Sequence, residues 1–331
     1  WGGARLKLWR DSVRMASHRL AAGYGPEVFT GEFPRFESAE LARAYPDFAH
    51  ESPHNIFLDA LVSQGLPGML VLLGLCAAGL GAAVRGKYPL LAAALAAGIV
   101  SQQFTAFTLP TAVIFFTTLG LAISGKMPPG AAARPRIALK AAAIVTAAAL
   151  FYLGLRFAVA DHALALAQRG LNQGDIGYAA AEYRNYERWR LPGGSADLWY
   201  SRAVLAAAPP TRPPNTRLAA LLESEKSALR ATQTAEDPFN AWYNLAIIDA
   251  AREDRTAVER SLRAAIAAHP TWFKPHWTLA QLLRLEGRLQ EARGEAERAA
   301  DLDAGKDTPV MQTLDALRGP PAPVPAPTFQ K

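Results

Sequence analysis

One cysteine in 331 residues excludes a disulfide framework. That residue, Cys76, lies inside an apolar run and reads as a small packing side chain. Charge is also scarce through the middle of the chain. Leu66 to Val84 carries none over about 19 residues, enough to cross a hydrocarbon core of about 30 Å, and Leu90 to Ser124 carries none either. Neither an initiator methionine nor a signal sequence precedes Trp1, so we expect the chain to be the C-terminal part of something longer. Any function shared with a preceding part is then incomplete here.

Half of the residues (50%) are apolar, yet mean hydropathy is close to zero, an average over two populations. From about Leu66 to Ala160 nearly every residue is Ala, Leu, Gly, Val, Ile or Phe, whereas both flanks are charge-rich. Much of the net charge of +6 collects beside the apolar runs, so the basic balance reads as membrane topology rather than nucleic-acid binding. Arg85 and Lys87 close the first run; Lys126, Arg134, Arg136 and Lys140 follow the second. The positive-inside rule puts both clusters in the cytoplasm, which requires an even number of crossings between them. Pro110, between Thr108 and Thr111, supplies the break for a helical hairpin. Four spans are therefore expected, at about 66–84, 88–108, 110–125 and 137–160, with residues 1–65 and 161–318 on the same non-cytoplasmic face. The competing arrangement has three spans, one of them a long tilted helix, and puts the clusters on opposite faces.

Before the first span, Leu6, Trp9, Val13, Ala16 and Leu20 recur at helical spacing, predicting an amphipathic helix near the bilayer surface. Gly23-Tyr24-Gly25-Pro26 ends it in a turn, and Glu27 to Ala49 reads as irregular. A second helix is expected to start with Ser52 as N-cap and Pro53 at its first position, with His54 and Asn55 in the first turn. Amides and dipole at such a start favour an anion such as a phosphate, and the dipole keeps a histidine neutral and able to accept a proton. Glu51 next door pushes the other way. Arg5 reads by default as an interfacial arginine, and functionally as a phosphate clamp, since a guanidinium pairs with phosphoryl oxygens in bidentate fashion. His18 and His50 read as solvent-facing loop histidines.

In order, the chain shows Arg5 four residues before Trp9, then Gly23-Tyr24-Gly25-Pro26, His54-Asn55-Ile56-Phe57-Leu58 and Gly65-Leu66-Pro67-Gly68. This set resembles the large periplasmic loop of the bacterial O-antigen ligase and polymerase family, and the resemblance extends over about the first 125 residues, loop and following spans. It implies metal-independent glycosyl transfer, without a cofactor, from a polyprenyl-diphosphate-linked glycan in the periplasm. By that resemblance Arg5 holds the diphosphate and His54 assists the acceptor hydroxyl, with Trp9, Arg10 and Asn55 as substrate-binding neighbours. A further arginine that the family carries upstream has no position here, so this fragment alone is expected to be inactive. The chemistry agrees: a lipid diphosphate is already a good leaving group, so charge neutralisation suffices and no paired carboxylates are needed. The loop's Asp and Glu residues show no spacing that suggests such a pair.

Beyond the last span, Trp242-Tyr243-Asn244-Leu245-Ala246 and His276-Trp277-Thr278-Leu279-Ala280 align at an offset of 34 residues, repeated by Ala265 and Ala299. Pro270 closes one unit and Ala304 stands at the matching place in the next. The pattern resembles tetratricopeptide repeats. Two degenerate units are expected before them: about Val159 to Pro192, turning at Gly174-Asp175, and about Ser195 to Pro238, lengthened by a Pro209–Asn215 insert. Trp242, Trp272 and Trp277 read as core, with one or two able to line a concave face that binds a protein partner. Residues 319–331, rich in proline, read as a disordered tail.

The expected fold is all-α: polytopic membrane helices of a GT-C-like glycosyltransferase, then an α-solenoid of helix pairs. The expected setting is the bacterial inner membrane with loop and repeats in the periplasm, in contact with membrane lipids. The acceptor stays open between lipid A-core, a growing glycan and a protein, that is, between ligase, polymerase and protein O-oligosaccharyltransferase. A different class, a non-enzymatic anchor displaying the repeats, is the alternative.

Overall fold

The computed structural model describes residues 3–124, 137–191, 195–209 and 211–319. Every regular element among them is helical. The basic loop after Ser124 and the proline-rich tail lie outside the described residues.

The N-terminal segment is more ordered than its charges and prolines suggest. α1 (Gly3–Ser17) is followed by α2 (Phe29–Glu32), a 3-10 turn (Phe33–Arg35) and α3 (Ala39–Ala44), so the stretch expected to be irregular holds three short helical pieces. α3 is started by Ser38, whose hydroxyl accepts from the Leu41 amide at 3.3 Å. Leu8, Met15 and Ala16 of α1 bury against Phe29, Phe33, Leu41 and Val62, giving this segment its own small core.

α4 (Ile56–Arg85) starts ten residues before the expected span and breaks at Gly65, where φ is 70° and ψ is −168°. The break follows from the sequence. Pro67 has no amide to donate back to Ser63, so that carbonyl accepts instead from Gly25 at 2.9 Å. The Val62 carbonyl accepts from Tyr24 at 2.8 Å, and the Leu66 amide turns to the Leu20 carbonyl at 2.7 Å. The freed backbone groups of the break are thus satisfied by the turn that ends α1. Only glycine fits here: a Cβ at Gly65 would stand 2.5 Å from the Leu20 carbonyl oxygen.

α5 (Pro89–Ser101) and α6 (Leu109–Ser124) return as a hairpin against α4, sealed by Cys76, Ala83, Leu95, Phe115, Leu119 and Ala122. Cys76 is one more packing residue. Pro110 sits near the start of α6, where its missing amide costs nothing. Two described helices are long and apolar enough to cross a membrane, α4 and, from Lys140 onward, α7 (Ile137–Gln173). α5 and α6, with 13 and 16 residues, are shorter than the expected spans 88–108 and 110–125; at about 1.5 Å per residue each is under 30 Å.

α7 does not stop at the expected 160 but runs on without a break into the C-terminal helices. Arg156, inside the expected span 137–160, donates to the carbonyls of Arg188, Trp189 and Arg190 at 3.2, 3.2 and 3.0 Å. It thereby caps α8 (Ile176–Trp189), and the lipid-facing part of α7 ends before it. The remaining helices are α9 (Asp197–Ala206), α10 (Pro214–Thr234), α11 (Pro238–Ala251), α12 (Arg255–Ala268), α13 (Phe273–Leu285), α14 (Leu289–Asp303) and α15 (Thr308–Arg318). They pack as successive pairs, α7 with α8, α9 with α10, α11 with α12 and α13 with α14. Buried alanines such as Ala228, Ala246, Ala265, Ala280, Ala296 and Ala299 allow the close approach. Gly174, at φ 78°, makes the first inter-helix turn, and Asp175 caps α8 through the Tyr178 amide at 2.8 Å.

Replacing Gly65 with alanine should lower stability by about 2 kcal/mol or more, because a left-handed backbone and a backbone clash add. Thermal unfolding of the detergent-solubilised protein reads this directly, and unchanged melting would contradict the interlock described for α1 and α4.

Candidate functional site

The segment carrying His54 is held from three sides. The indole of Trp9 on α1 donates to the Pro53 carbonyl at 3.0 Å. Asn55, not Ser52, caps α4: its side-chain oxygen accepts from the amides of Phe57 and Leu58, each at 3.1 Å. The Ile56 amide donates to the Gln102 carbonyl at the tip of the α5–α6 hairpin, at 2.9 Å. His54 consequently lies outside the helix, with φ of 52°. A non-glycine residue in that region is held there by its surroundings, commonly where function needs it. Ser52 serves His54 rather than the helix, with its hydroxyl accepting from the His54 amide at 3.2 Å and lying 3.3 Å from Nδ1.

This corrects the expectation of an anion site at the helix start. The Phe57 and Leu58 amides are taken by Asn55, the Asp59 amide by the Asn55 carbonyl at 2.8 Å, and the Ile56 amide by Gln102. No amide of that first turn is left for a phosphate. Negative charge must be met by a side chain.

His54 lines two cavities of opposite character. One, of about 220 Å³, is walled by Arg5, Leu8, Tyr45, Phe48, His50 and His54. Arg5 is exposed there, its guanidinium 5.8 Å over the Phe104 ring, with no carboxylate partner among the described residues. The other, of about 380 Å³, brings His54 beside Glu27, Glu51 and Asp59 with Ser52, Ser63, Gln64 and Thr105, and no lysine or arginine lines it. Burial pushes the Asp59 carboxyl above the usual range, and Glu27 adds to the rise. From this cavity an apolar groove of about 250 Å³ descends α4 past Gly68, Val71, Leu72 and Leu75 to Phe116.

The structure therefore brings Arg5 and His54 to one cavity and makes Trp9 and Asn55 the supports of the histidine. Arg10 lines a different cavity, with Trp9 and Asn55, and its guanidinium meets Asp11 and Glu40 at 3.2 Å each and the Ser38 hydroxyl at 2.9 Å. Among the described residues no group of His, Cys, Asp and Glu is arranged to hold a metal ion. Sequence reasoning named Glu51 beside His54 but missed Glu27, which is distant in the chain, and Asp59, and it misplaced His50. That residue is buried, not solvent-facing, within 5.1–6.1 Å of the rings of Phe33, Tyr45 and Phe48 and 3.8 Å from Glu37. A spacing of four from His54 was the only signal. His18, by contrast, is exposed, as read from sequence.

Residues 1–73 match the family model described as O-Antigen ligase. The match covers Arg5, Trp9, His54 and Asn55 and ends in α4 just past the Gly65 break. No curated protein and no solved structure matches the chain.

Two measurements check the geometry. Trp9→Phe removes the donor to a buried carbonyl and should cost about 1–2 kcal/mol of stability in thermal unfolding. Burial holds the His50 ring below the ordinary histidine pKa, with Glu37 opposing and the neighbouring His54 and His269 adding to the depression. A depressed folded pKa means that the unfolded chain binds the proton more readily, so stability should fall as pH drops through about 6.5. Histidine-resolved NMR should show His50 titrating below that value, and a His50 that titrates above it would contradict the burial.

Proposed function

We propose that this chain carries the C-terminal part of a GT-C-like membrane glycosyltransferase of O-antigen ligase type, which moves a glycan from a polyprenyl-diphosphate carrier to an acceptor hydroxyl. The observation that carries the reading is the pairing of an uncompensated guanidinium, Arg5, with a histidine, His54, in one cavity beside the head of a membrane-length helix. The match of residues 1–73 to O-antigen ligases supports it.

In the proposed reaction the donor diphosphate rests against Arg5. The acceptor hydroxyl enters from the acidic side, where carboxylates repel a diphosphate but accept hydrogen bonds from sugar hydroxyls. The acceptor oxygen forms a bond to the anomeric carbon as the bond from that carbon to the phosphate oxygen breaks, and the electron pair leaves with the diphosphate. Arg5 neutralises the charge that develops there. The hydroxyl proton goes to Nε2 of His54, in the tautomer whose Nδ1–H donates to Ser52. The apolar groove running from the acidic cavity down α4 suits a prenyl or acyl chain, which favours a lipid-borne acceptor over a protein.

A contact supports the sidedness of this reading: Arg43 meets Asp301 at 2.8 Å, as expected if the segment before the spans and the helices after them share one face of the bilayer. With Arg85 and Lys87 at the far end of α4, the positive-inside rule makes that shared face the periplasmic one in a bacterial inner membrane. Whether or not α5 and α6 each cross fully, the hairpin keeps the count of crossings even.

In the full-length protein His54→Ala and Arg5→Ala should each lower glycan transfer by about 10²-fold or more while membrane insertion is unchanged. Arg5→Lys should restore only part, because an ammonium lacks the bidentate fork. Transfer at the wild-type rate by His54→Ala would sink the reading in favour of an anchor that only displays its helical domain.

A further inference from the structure

Tyr45, Phe48 and His50, half of the residues walling the Arg5–His54 cavity, belong to the stretch between α3 and α4. That stretch has little internal structure: Phe48 closes a single turn on the Tyr45 carbonyl at 3.3 Å. Besides the Trp9 bond to Pro53, it is anchored at Asp47, and the residues just before it at Glu37 and Arg43, by side chains of the C-terminal domain, between 225 and 258 residues away in the chain. Glu37, buried, accepts from Nε2 of His269 at 3.0 Å and from the Thr271 hydroxyl, while its other oxygen faces His50 at 3.8 Å. One terminal nitrogen of Arg43 donates to both oxygens of the Asp301 carboxylate, at 2.8 and 2.9 Å. Asp47, at φ of 65°, accepts from the Trp272 indole at 2.9 Å and the Lys274 ammonium at 2.6 Å. Beneath them Ala42 packs into Phe273, Ala299, Leu302 and Val310.

Charge-assisted bonds of this kind are the strong ones, and a buried carboxylate stripped of its donors is costly. The wall of the cavity is thus fastened to the C-terminal domain at three points rather than to the membrane helices. We infer that the C-terminal helices are a working part of the site, with His269, Thr271 and Trp272 as positioning residues that hold the Tyr45–Phe48–His50 wall against Arg5 and His54. The effect on transfer rests on the function proposed above; the holding of the wall does not.

The test uses the full-length protein with the two exposed ion pairs reversed from one side, Arg43→Asp with Asp47→Lys, and then restored by adding Lys274→Asp with Asp301→Arg. All four side chains lie at the surface, so the helical cores are left intact. The first readout is the rate at which diethyl pyrocarbonate modifies His50, resolved by mass spectrometry, because this buried ring packs beside Glu37, the carboxylate that His269 and Thr271 hold. Reversal should raise that rate about tenfold or more, and the four-residue swap should lower it again several-fold but not fully, since Asp47→Lys leaves the Trp272 indole without its acceptor. The second readout is glycan transfer, where reversal should raise the KM for the lipid-linked donor more than it lowers kcat, and the swap should restore it in part.

An unchanged His50 rate after reversal, or a raised rate that the swap fails to lower, overturns the inference. So does a rate raised and then lowered with donor KM unmoved. Should the wild-type protein transfer no glycan, the proposed function falls, and the His50 rates alone then decide whether the C-terminal helices hold the wall.

Discussion

The amide that Pro67 lacks sets the geometry of everything above the bilayer. Without it Ser63 has no helical donor, α4 breaks at Gly65, and the carbonyls of Val62 and Ser63 become acceptors for the Tyr24 and Gly25 amides. The turn after α1 is thereby stitched to the membrane helix by backbone bonds on both strands of the chain. The first turns of α4 swing free of the lower helix, far enough for Ile56 to reach Gln102 at the hairpin tip. Asn55 and His54 take their places from that swing, and Trp9 fixes them from α1. A continuous α4 would give up each of these contacts.

Electrostatics then divide the space around the imidazole. On one side an arginine faces a partly aromatic pocket with no carboxylate against it; on the other, three carboxylates gather among hydroxyl and amide side chains. In the proposed reaction such asymmetry serves the histidine, because the acceptor hydroxyl and the diphosphate are each steered to their own side before any bond changes. The Asp59 carboxyl is raised mainly by burial in a space partly cut off from water, with the like charge of Glu27 adding to it.

Much of this was legible from short-range chemistry. Gly174-Asp175 marks the inter-helix turn and the hydrophobic spacing of Leu6 to Leu20 the first helix, whereas Gly65-Leu66-Pro67-Gly68 stood only as the entry to a span and its break was not read. The helix start was misread because Ser52-Pro53 and Asn55 both carry good start signals, whereas the Trp9 bond to the Pro53 carbonyl and the left-handed His54 keep that stretch out of the helix. His50 was misread for a different reason. Its burial comes from Glu37 and from aromatic rings that meet it only in space, and Glu37 is buried because His269 and Thr271 cover it from more than 230 residues away. Neither propensity nor spacing carries such information. The length of α7 escaped notice likewise, since alanine and leucine suit lipid and helix-pair packing equally well.

That uninterrupted α7 has a mechanical corollary. Its apolar half is wholly exposed, while its polar half is built into the C-terminal domain, which is itself pinned to the segment above α4. The lateral distance between this strut and the α4–α6 cluster is therefore dictated from outside the bilayer, as by a bracket joining two posts above ground. Lipid can fill the intervening space without the posts drifting apart, and any tilt imposed on the strut by a thicker or thinner membrane is relayed, through one stiff rod, to the bracket itself.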